Sequence, residues 1–181
     1  MASWRQIARR IRVPLGFVLA VTYLWLANPR LPSLLLGVVF VVLGLSIRAL
    51  ASGHVQKNEQ LTMTGPYAYT RNPLYLGSLI LSAGFAIAAR SLWVVVILSI
   101  MLVAIYLPVI RAEEAYLAER FPEFREYARH VPRLVPAIRP FADQHASFSW
   151  TLYRMHREYN ATIGSVAVMA ALVVKLMLTS R

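Results

Sequence analysis

Two apolar runs, Leu31 to Ser52 and Ser91 to Ile110, constrain this chain more than any other feature, because each is about 20 residues long and nearly uncharged. At a helical rise of roughly 1.5 Å per residue, such a run crosses a hydrocarbon core of about 30 Å. A water-soluble fold cannot absorb them here, since 58% of the 181 residues are hydrophobic and only 15% are charged, too few to cover a surface. Three further runs, Val13 to Ala27, Leu74 to Ala89 and Ala161 to Leu178, extend the pattern to an all-α polytopic transmembrane helix bundle of about five spans, with four the nearest alternative. The first two of these are short and need bilayer thinning or snorkelling flanks. Residues 1–181 read as a single membrane domain.

Arg5, Arg9, Arg10 and Arg12 precede the first run as they would in a cleaved signal peptide, but Pro29-Arg30 stands where small residues should mark a cleavage site. A retained helix is expected. With no cysteine in the chain, disulfides, thiolate metal ligands and a cysteine nucleophile are all excluded.

The net charge of +11 would suggest nucleic acid in a soluble protein, yet its placement argues otherwise. With five spans and a cytoplasmic N-terminus, fifteen basic residues fall inside: Arg5, Arg9, Arg10, Arg12, Arg48, Lys57, Arg71, Arg111, Arg120, Arg125, Arg129, Arg133, Arg139, Arg154 and Arg157. Four fall outside: Arg30, Arg90, Lys175 and Arg181. That is a positive-inside distribution, and all eight carboxylates lie on the same inner side. The expected setting is a bacterial inner membrane with the polar clusters facing the cytoplasm and no nucleic-acid partner.

The outer turns, Asn28-Pro29-Arg30 and Ala89-Arg90-Ser91, are short enough to make antiparallel hairpins of spans one and two and of spans three and four. The inner loops carry the polar sequence. In the first, Pro66 and Pro73 hold Tyr67 to Arg71 between two stiff points. In the second, Glu113, Glu114, Leu117 and Phe121 continue span four as a helix until Phe121-Pro122 bends it, giving a cytoplasmic amphipathic helix. Pro132, Pro136 and Pro140 then predict an extended strap. Residues 143–160 read either as an interfacial helix or as an ordinary connector. Ala161, Gly164, Ala167 and Ala170 share roughly one face of the last span, which would suit close packing within the chain or in a homodimer.

Several chemistries lack their signatures. None of the eight glycines forms a GxG arrangement, there is no HExxH, no serine sits in a GxSxG setting, and the four histidines show no metal-ligand spacing. What remains is a pair of adjacent carboxylates, Glu113-Glu114, at the membrane end of one helix and a Tyr/Arg/Asn/Pro/Tyr turn at the membrane end of another. Carboxylates bind an ammonium, and aromatic faces attract a sulfonium or cover an adenine. The same residues also suit a plainer role, with the carboxylates paired to Arg111 or Arg71 and Tyr67, Tyr69 and Tyr75 forming an interfacial belt.

Gly65-Pro66-Tyr67, then Arg71-Asn72-Pro73-Leu74-Tyr75-Leu76-Gly77, then Glu113-Glu114 with Leu117, Phe121 and Tyr127, and the Val131-Pro132-Arg133 to Pro136 strap resemble the isoprenylcysteine carboxyl methyltransferases and the related phospholipid N-methyltransferases. The likeness covers about residues 50–140. It implies an integral membrane enzyme that binds S-adenosylmethionine in a cytoplasm-facing pocket and takes a lipid acceptor laterally from the bilayer. Residues 50–140 would form the cofactor-binding core, with 141–181 as a connector and an additional C-terminal span. The resemblance assigns the cofactor to Gln56, Glu59, Gln60, Leu61, Thr62, Tyr67, Asn72, Pro73, Leu74 and Tyr75, with Glu113 on its amino group. Arg71 and Glu114 are its candidates at the reacting centre, Glu114 supporting Glu113 or orienting Arg71.

Two departures stand out. Asn72 replaces the usual histidine, a mild change because asparagine still donates and accepts. Val109 stands where the isoprenylcysteine enzymes carry a substrate arginine, which argues against a prenylcysteine carboxylate as acceptor. A carboxylate acceptor needs no base, whereas an amine must first lose a proton, for which Glu59, His54 or Glu114 are the candidates. Two other classes share parts of the pattern. One is a nicotinamide-dependent membrane reductase resembling the steroid 5α-reductases, which have a comparable Arg-His-Pro turn. The other is a non-catalytic membrane scaffold.

Overall fold

The computed structural model describes residues 18–56, 60–141 and 147–179, and every regular element among them is helical. The chain is a helical membrane bundle. Residues 18–26 form α1, followed by α2 (Leu31–Ser52), a 3-10 turn (Gly65–Ala68) and α3 (Pro73–Ala89). Next come α4 (Leu92–Met101), a π turn (Leu102–Tyr106) and α5 (Leu107–Arg120), which run on as one helix, then α6 (Phe124–His130), α7 (Trp150–Met155) and α8 (Tyr159–Thr179). Three helices are long and apolar enough to cross a membrane, Leu31–Ser52, Leu92–Arg120 and Tyr159–Thr179, and Pro73–Ala89 is a shorter apolar one. Of the expected first span, residues 13–17 lie outside the described residues, as do Arg5, Arg9, Arg10 and Arg12.

Large apolar side chains point outward and small ones inward, as they should where the surroundings are as apolar as the core. On α2, Leu34, Gly37, Val41 and Gly44 are buried while Leu35, Leu36, Val39, Val42 and Leu43 face out. Gly37 and Gly44 meet Gly84 and Gly77 on α3: a Cβ on Gly37 would stand 2.7 Å from the Gly84 carbonyl oxygen, and one on Gly44 2.6 Å from that of Gly77. Four glycines, spaced by seven on each helix, thus bring the α2 and α3 backbones into direct contact. The small residues of α8 do not do this within the chain, since a Cβ on Gly164 would meet open space.

The two short turns sit together at one end of the bundle, where Asn28 N donates to the Ala89 carbonyl at 2.7 Å and Arg90 closes α3 in the left-handed conformation at φ 49°. Lys175 of α8 ties that helix to α1 by donating to the carbonyls of Leu24 and Ala27, each at 2.6 Å, which have no helical partner of their own. The π turn before Leu107 has a simple cause. Pro108 lacks an N–H and its ring opposes the carbonyl of Ala104, so the helix widens there. Leu92–Arg120 has 29 residues, and at roughly 1.5 Å each it outruns a core of about 30 Å, so Glu113 and Glu114 emerge at its interfacial end.

The polar end follows the expected plan. Phe121 takes an extended conformation ahead of Pro122, which disfavours helix in the preceding residue, and α6 restarts at Phe124. Phe124, Tyr127 and Val131 form a small core with Leu61, Met63, Leu117 and Phe141. The proline-rich strap lies along the Tyr67 to Asn72 turn: Arg71 N donates to Pro132 O at 2.9 Å, Ala137 N to Tyr69 O at 2.8 Å and Phe141 N to Ala68 O at 3.0 Å. Past the strap, α7 docks on the end of α2, with Ser149 N donating to Gly53 O at 2.9 Å.

Candidate active site

Adjacent residues on a helix point about 100° apart, so Glu113 and Glu114 cannot share an environment. Glu114 turns inward and is buried. Its Oε2 accepts from Arg133 Nε at 3.0 Å and from a second guanidinium nitrogen at 2.7 Å, and its Oε1 accepts from Asn72 Nδ2 at 3.1 Å. Asn72 Nδ2 also donates to the Arg133 carbonyl at 3.0 Å, and the Thr70 hydroxyl reaches the carbonyls of Arg133 and Leu134 at 3.2 Å. These contacts knot α5, the turn before α3 and the strap together. The knot holds Arg133 charged, raising its pKa through the hydrogen bonds and charge of Glu114. Glu113 points away, its Oε2 accepting from the Tyr75 hydroxyl at 3.0 Å.

Arg71 lies beside Glu114. Its Nε lies 3.6 Å from Glu114 Oε1, close enough for charge attraction, and among the described residues this buried N–H has no hydrogen-bond partner. Tyr67 is buried beside it, with its phenol pushed well above the usual range, first by burial and then by the charge of Glu113. The Tyr127 hydroxyl fastens this segment by donating to Tyr67 O at 2.7 Å, and burial again keeps the phenol protonated.

Two adjoining cavities meet at Tyr67, Arg71, Asn72, Leu74 and Glu113. The first, of about 180 Å³, runs between α5 and the loop ahead of the 3-10 turn, and adds Gln56, Gln60, Leu61, Thr62, Leu117, Phe124 and Tyr127 to its walls. The second, of about 380 Å³, runs between α2, α3 and the start of α8, lined by Arg48, Tyr75, Ser78, Tyr106 and Glu158. The first offers apolar walls for a flat ring and, in Glu113, a carboxylate for a cation. The second is lined mainly by charged and hydroxyl groups.

Most residues singled out from sequence gather here. Gln56, Gln60, Leu61, Thr62, Tyr67, Arg71, Asn72, Leu74, Glu113 and Glu114 line the first cavity, and Tyr75 the second. Pro73 lines neither: it is fully buried in the first turn of α3, where its missing N–H does no harm. Glu59 lies outside the described residues. His54, named as a base, lines neither cavity, and its ring packs near Gly65, whose φ of +58° suits glycine. Arg48, Ser78, Tyr106 and Glu158 are cavity residues that sequence reasoning did not single out. Arg48 did carry a signal, as a charge inside an otherwise apolar run, whereas Glu158 lies in a stretch with no readable pattern. Among the described residues, no three His, Cys, Asp or Glu side chains converge as a metal site would require.

No solved structure matches the chain. Over 98 residues it is 36% identical to the cobalt-zinc-cadmium resistance protein CzcN of Cupriavidus metallidurans, covering 54% of this chain and 44% of that protein. Over 121 residues it is 33% identical to the nickel-cobalt-cadmium resistance protein NccN of Alcaligenes xylosoxydans xylosoxydans, covering 66% of this chain and 56% of that one. The chain therefore spans about half the length of the curated relatives it matches. Residues 15–123, which include both helices that carry the carboxylate pair and the tyrosine-rich turn, match the family described as phospholipid methyltransferase, and the chain belongs to that family of membrane methyltransferases.

Proposed function

We propose that this protein transfers a methyl group from S-adenosylmethionine to a lipophilic acceptor at the cytoplasmic face of a bacterial inner membrane. The observation that carries the reading is the first cavity, where the Glu113 carboxylate and the Arg71 side chain line one space. An amino acid moiety presents the complementary pair, an ammonium and a carboxylate. Leu61, Leu117 and Phe124 would cover a purine face, with Gln56, Gln60 and Thr62 at its edges. When bound, S-adenosylmethionine supplies a methyl on a sulfonium, which passes in line to an oxygen or nitrogen of the acceptor.

The residues of this chain align the partners and keep water out, which is most of what such a displacement asks of a protein. Glu113 and Arg71 hold the cofactor's polar end. Glu114, with both oxygens occupied, holds the Asn72 turn and the strap in place and so fixes Arg71 rather than touching the reacting atoms. The acceptor's head would lie in the second cavity, which adjoins the first at Tyr67 and Leu74. The cytoplasmic assignment rests on the inside excess of arginine. The relatives' names suggest divalent-metal resistance as the setting, with the chain modifying a lipid of the stressed membrane.

Calorimetric titration of nanodisc-embedded protein with S-adenosylmethionine, with NADPH in parallel, tests this reading. Saturable binding of the sulfonium alone is expected. NADPH binding alone would move the chain to the reductases, and binding of neither would leave a membrane scaffold.

A further inference from the structure

We infer that the second cavity is a binding site for an anionic headgroup, with Arg48 as its receptor and Glu158 as an internal carboxylate that occupies the receptor until a ligand displaces it. Calling that ligand the methyl acceptor rests on the function proposed above; the site itself does not.

Arg48 lies near the cavity end of α2 and spends most of its guanidinium on Glu158. Its Nε donates to Glu158 Oε2 at 3.1 Å, and a terminal nitrogen donates to Oε1 at 2.9 Å and Oε2 at 2.8 Å. The other terminal nitrogen donates to the Ser78 hydroxyl. A planar fork addressed to two oxygens is the geometry that recognises a carboxylate or a phosphate. The pair is not sealed in a core: its side chains keep 22% and 13% of their exposure, and both line the 380 Å³ cavity. A ligand oxyanion reaching Arg48 from that cavity would form the same bonds, while Glu158 regained water. The exchange is close to neutral for the guanidinium, so it needs little driving force.

The two partners are mounted differently, and this decides which one leaves. Arg48 is fixed on the glycine seam of α2 and α3, where a Cβ on Gly77 would come within 2.7 Å of Arg48 Cγ, so the glycine leaves the side chain its path. Glu158 stands at the joint between α7 and α8, directly after Arg157, whose φ of 54° is a left-handed conformation that a side chain disfavours. Returning Arg157 to an ordinary conformation would carry Glu158 away from the cavity. Removal of the Glu158 carboxylate leaves Arg48 and Arg71 against the one carboxylate of Glu113, a net positive lining that favours an anion. Arg48 lies within residues 15–123 matched by the family, whereas Glu158 lies beyond them. The receptor therefore belongs to the shared part of the chain and its competitor to the C-terminal segment.

The test uses the full chain in nanodiscs and compares wild type, Glu158→Gln and Arg48→Gln. Binding of dodecyl phosphate and of dodecanoate is measured by calorimetry, with dodecyltrimethylammonium as the cationic control. Glu158→Gln removes the internal competitor and should tighten anion binding about tenfold or more, and Arg48→Gln should weaken it by about as much. The anion preferred by the Glu158→Gln variant tells a phosphate headgroup from a carboxylate one. If both variants shift anion binding the same way or leave it unchanged, or if the cation alone binds more tightly, the pair is only a fastener for α8 and the inference fails. Should Arg48→Gln not fold, Arg48→Lys keeps the charge but loses the fork, and intermediate affinity is expected. S-adenosylmethionine is titrated into the same proteins. Opposite anion shifts without its binding would leave the site standing and remove the methyltransferase reading; its binding with anion-indifferent variants would do the reverse.

Discussion

The Glu114 knot and the Glu113 face are one residue apart in sequence and opposite in character. In the knot each polar group has a partner, with Arg133, Asn72 and Thr70 closing on Glu114 and on the strap carbonyls. On the face, Glu113 accepts from a single hydroxyl among the described residues and lines both cavities. Saturated polar groups hold a structure together, and unsaturated ones at a cavity wall are left for a ligand. The lesson is that a pair of carboxylates has to be divided by geometry before either is given a role.

The largest test of that division is Glu114→Ala. It strands Asn72 and the partly exposed Arg133 and frees the strap, and should cost about 2 to 4 kcal/mol of stability, read by thermal unfolding in nanodiscs. A variant as stable as wild type would show that the knot holds nothing. Next comes Glu113→Ala, for which the comparison predicts the reverse pattern. Stability should change by no more than about 0.5 kcal/mol, while calorimetric affinity for S-adenosylmethionine falls by about tenfold or more as a charge-assisted contact is lost. Retained affinity in a folded variant would remove Glu113 from the site. Tyr127→Phe leaves the Tyr67 carbonyl unpaired and should cost about 1 kcal/mol. Because it loosens the wall both regions share, a modest fall in affinity should accompany the lowered melting temperature. Arg133→Lys keeps the charge and loses the fork, so a loss of about 1 kcal/mol or less is expected, with cofactor affinity unchanged. A clear loss of affinity would mean that the knot reaches into the site.

Much of this arrangement was legible in the chain. Apolar run length announced the spans, Pro122 located the break between α5 and α6, and the three prolines of the strap excluded a helix there. These are local effects, decided by the residue itself or its immediate neighbour. The Tyr67 to Tyr75 turn and the carboxylate pair were readable as a candidate site because their motif is compact, and they line adjoining cavities. Other features were not. The α2 and α3 seam depends on four glycines that mean nothing until two helices face each other, and attention to the small residues of α8 looked in the wrong helix for the contact within the chain. Pro73 carried a motif match and His54 a suitable chemistry, and neither lines the two cavities.

By itself, the sequence determined that this protein crosses a membrane as helices and keeps its polar residues at one end, because hydrocarbon leaves an unpaired backbone no alternative. It also determined which stretches bend, since proline acts through its own ring. Only the tertiary structure decided which carboxylate is glue and which is free, and that Arg48 and Glu158, 110 residues apart, meet on one cavity wall. Those outcomes depend on the rotation of each helix about its axis and on how closely two backbones can approach, and both are set by packing across the whole bundle.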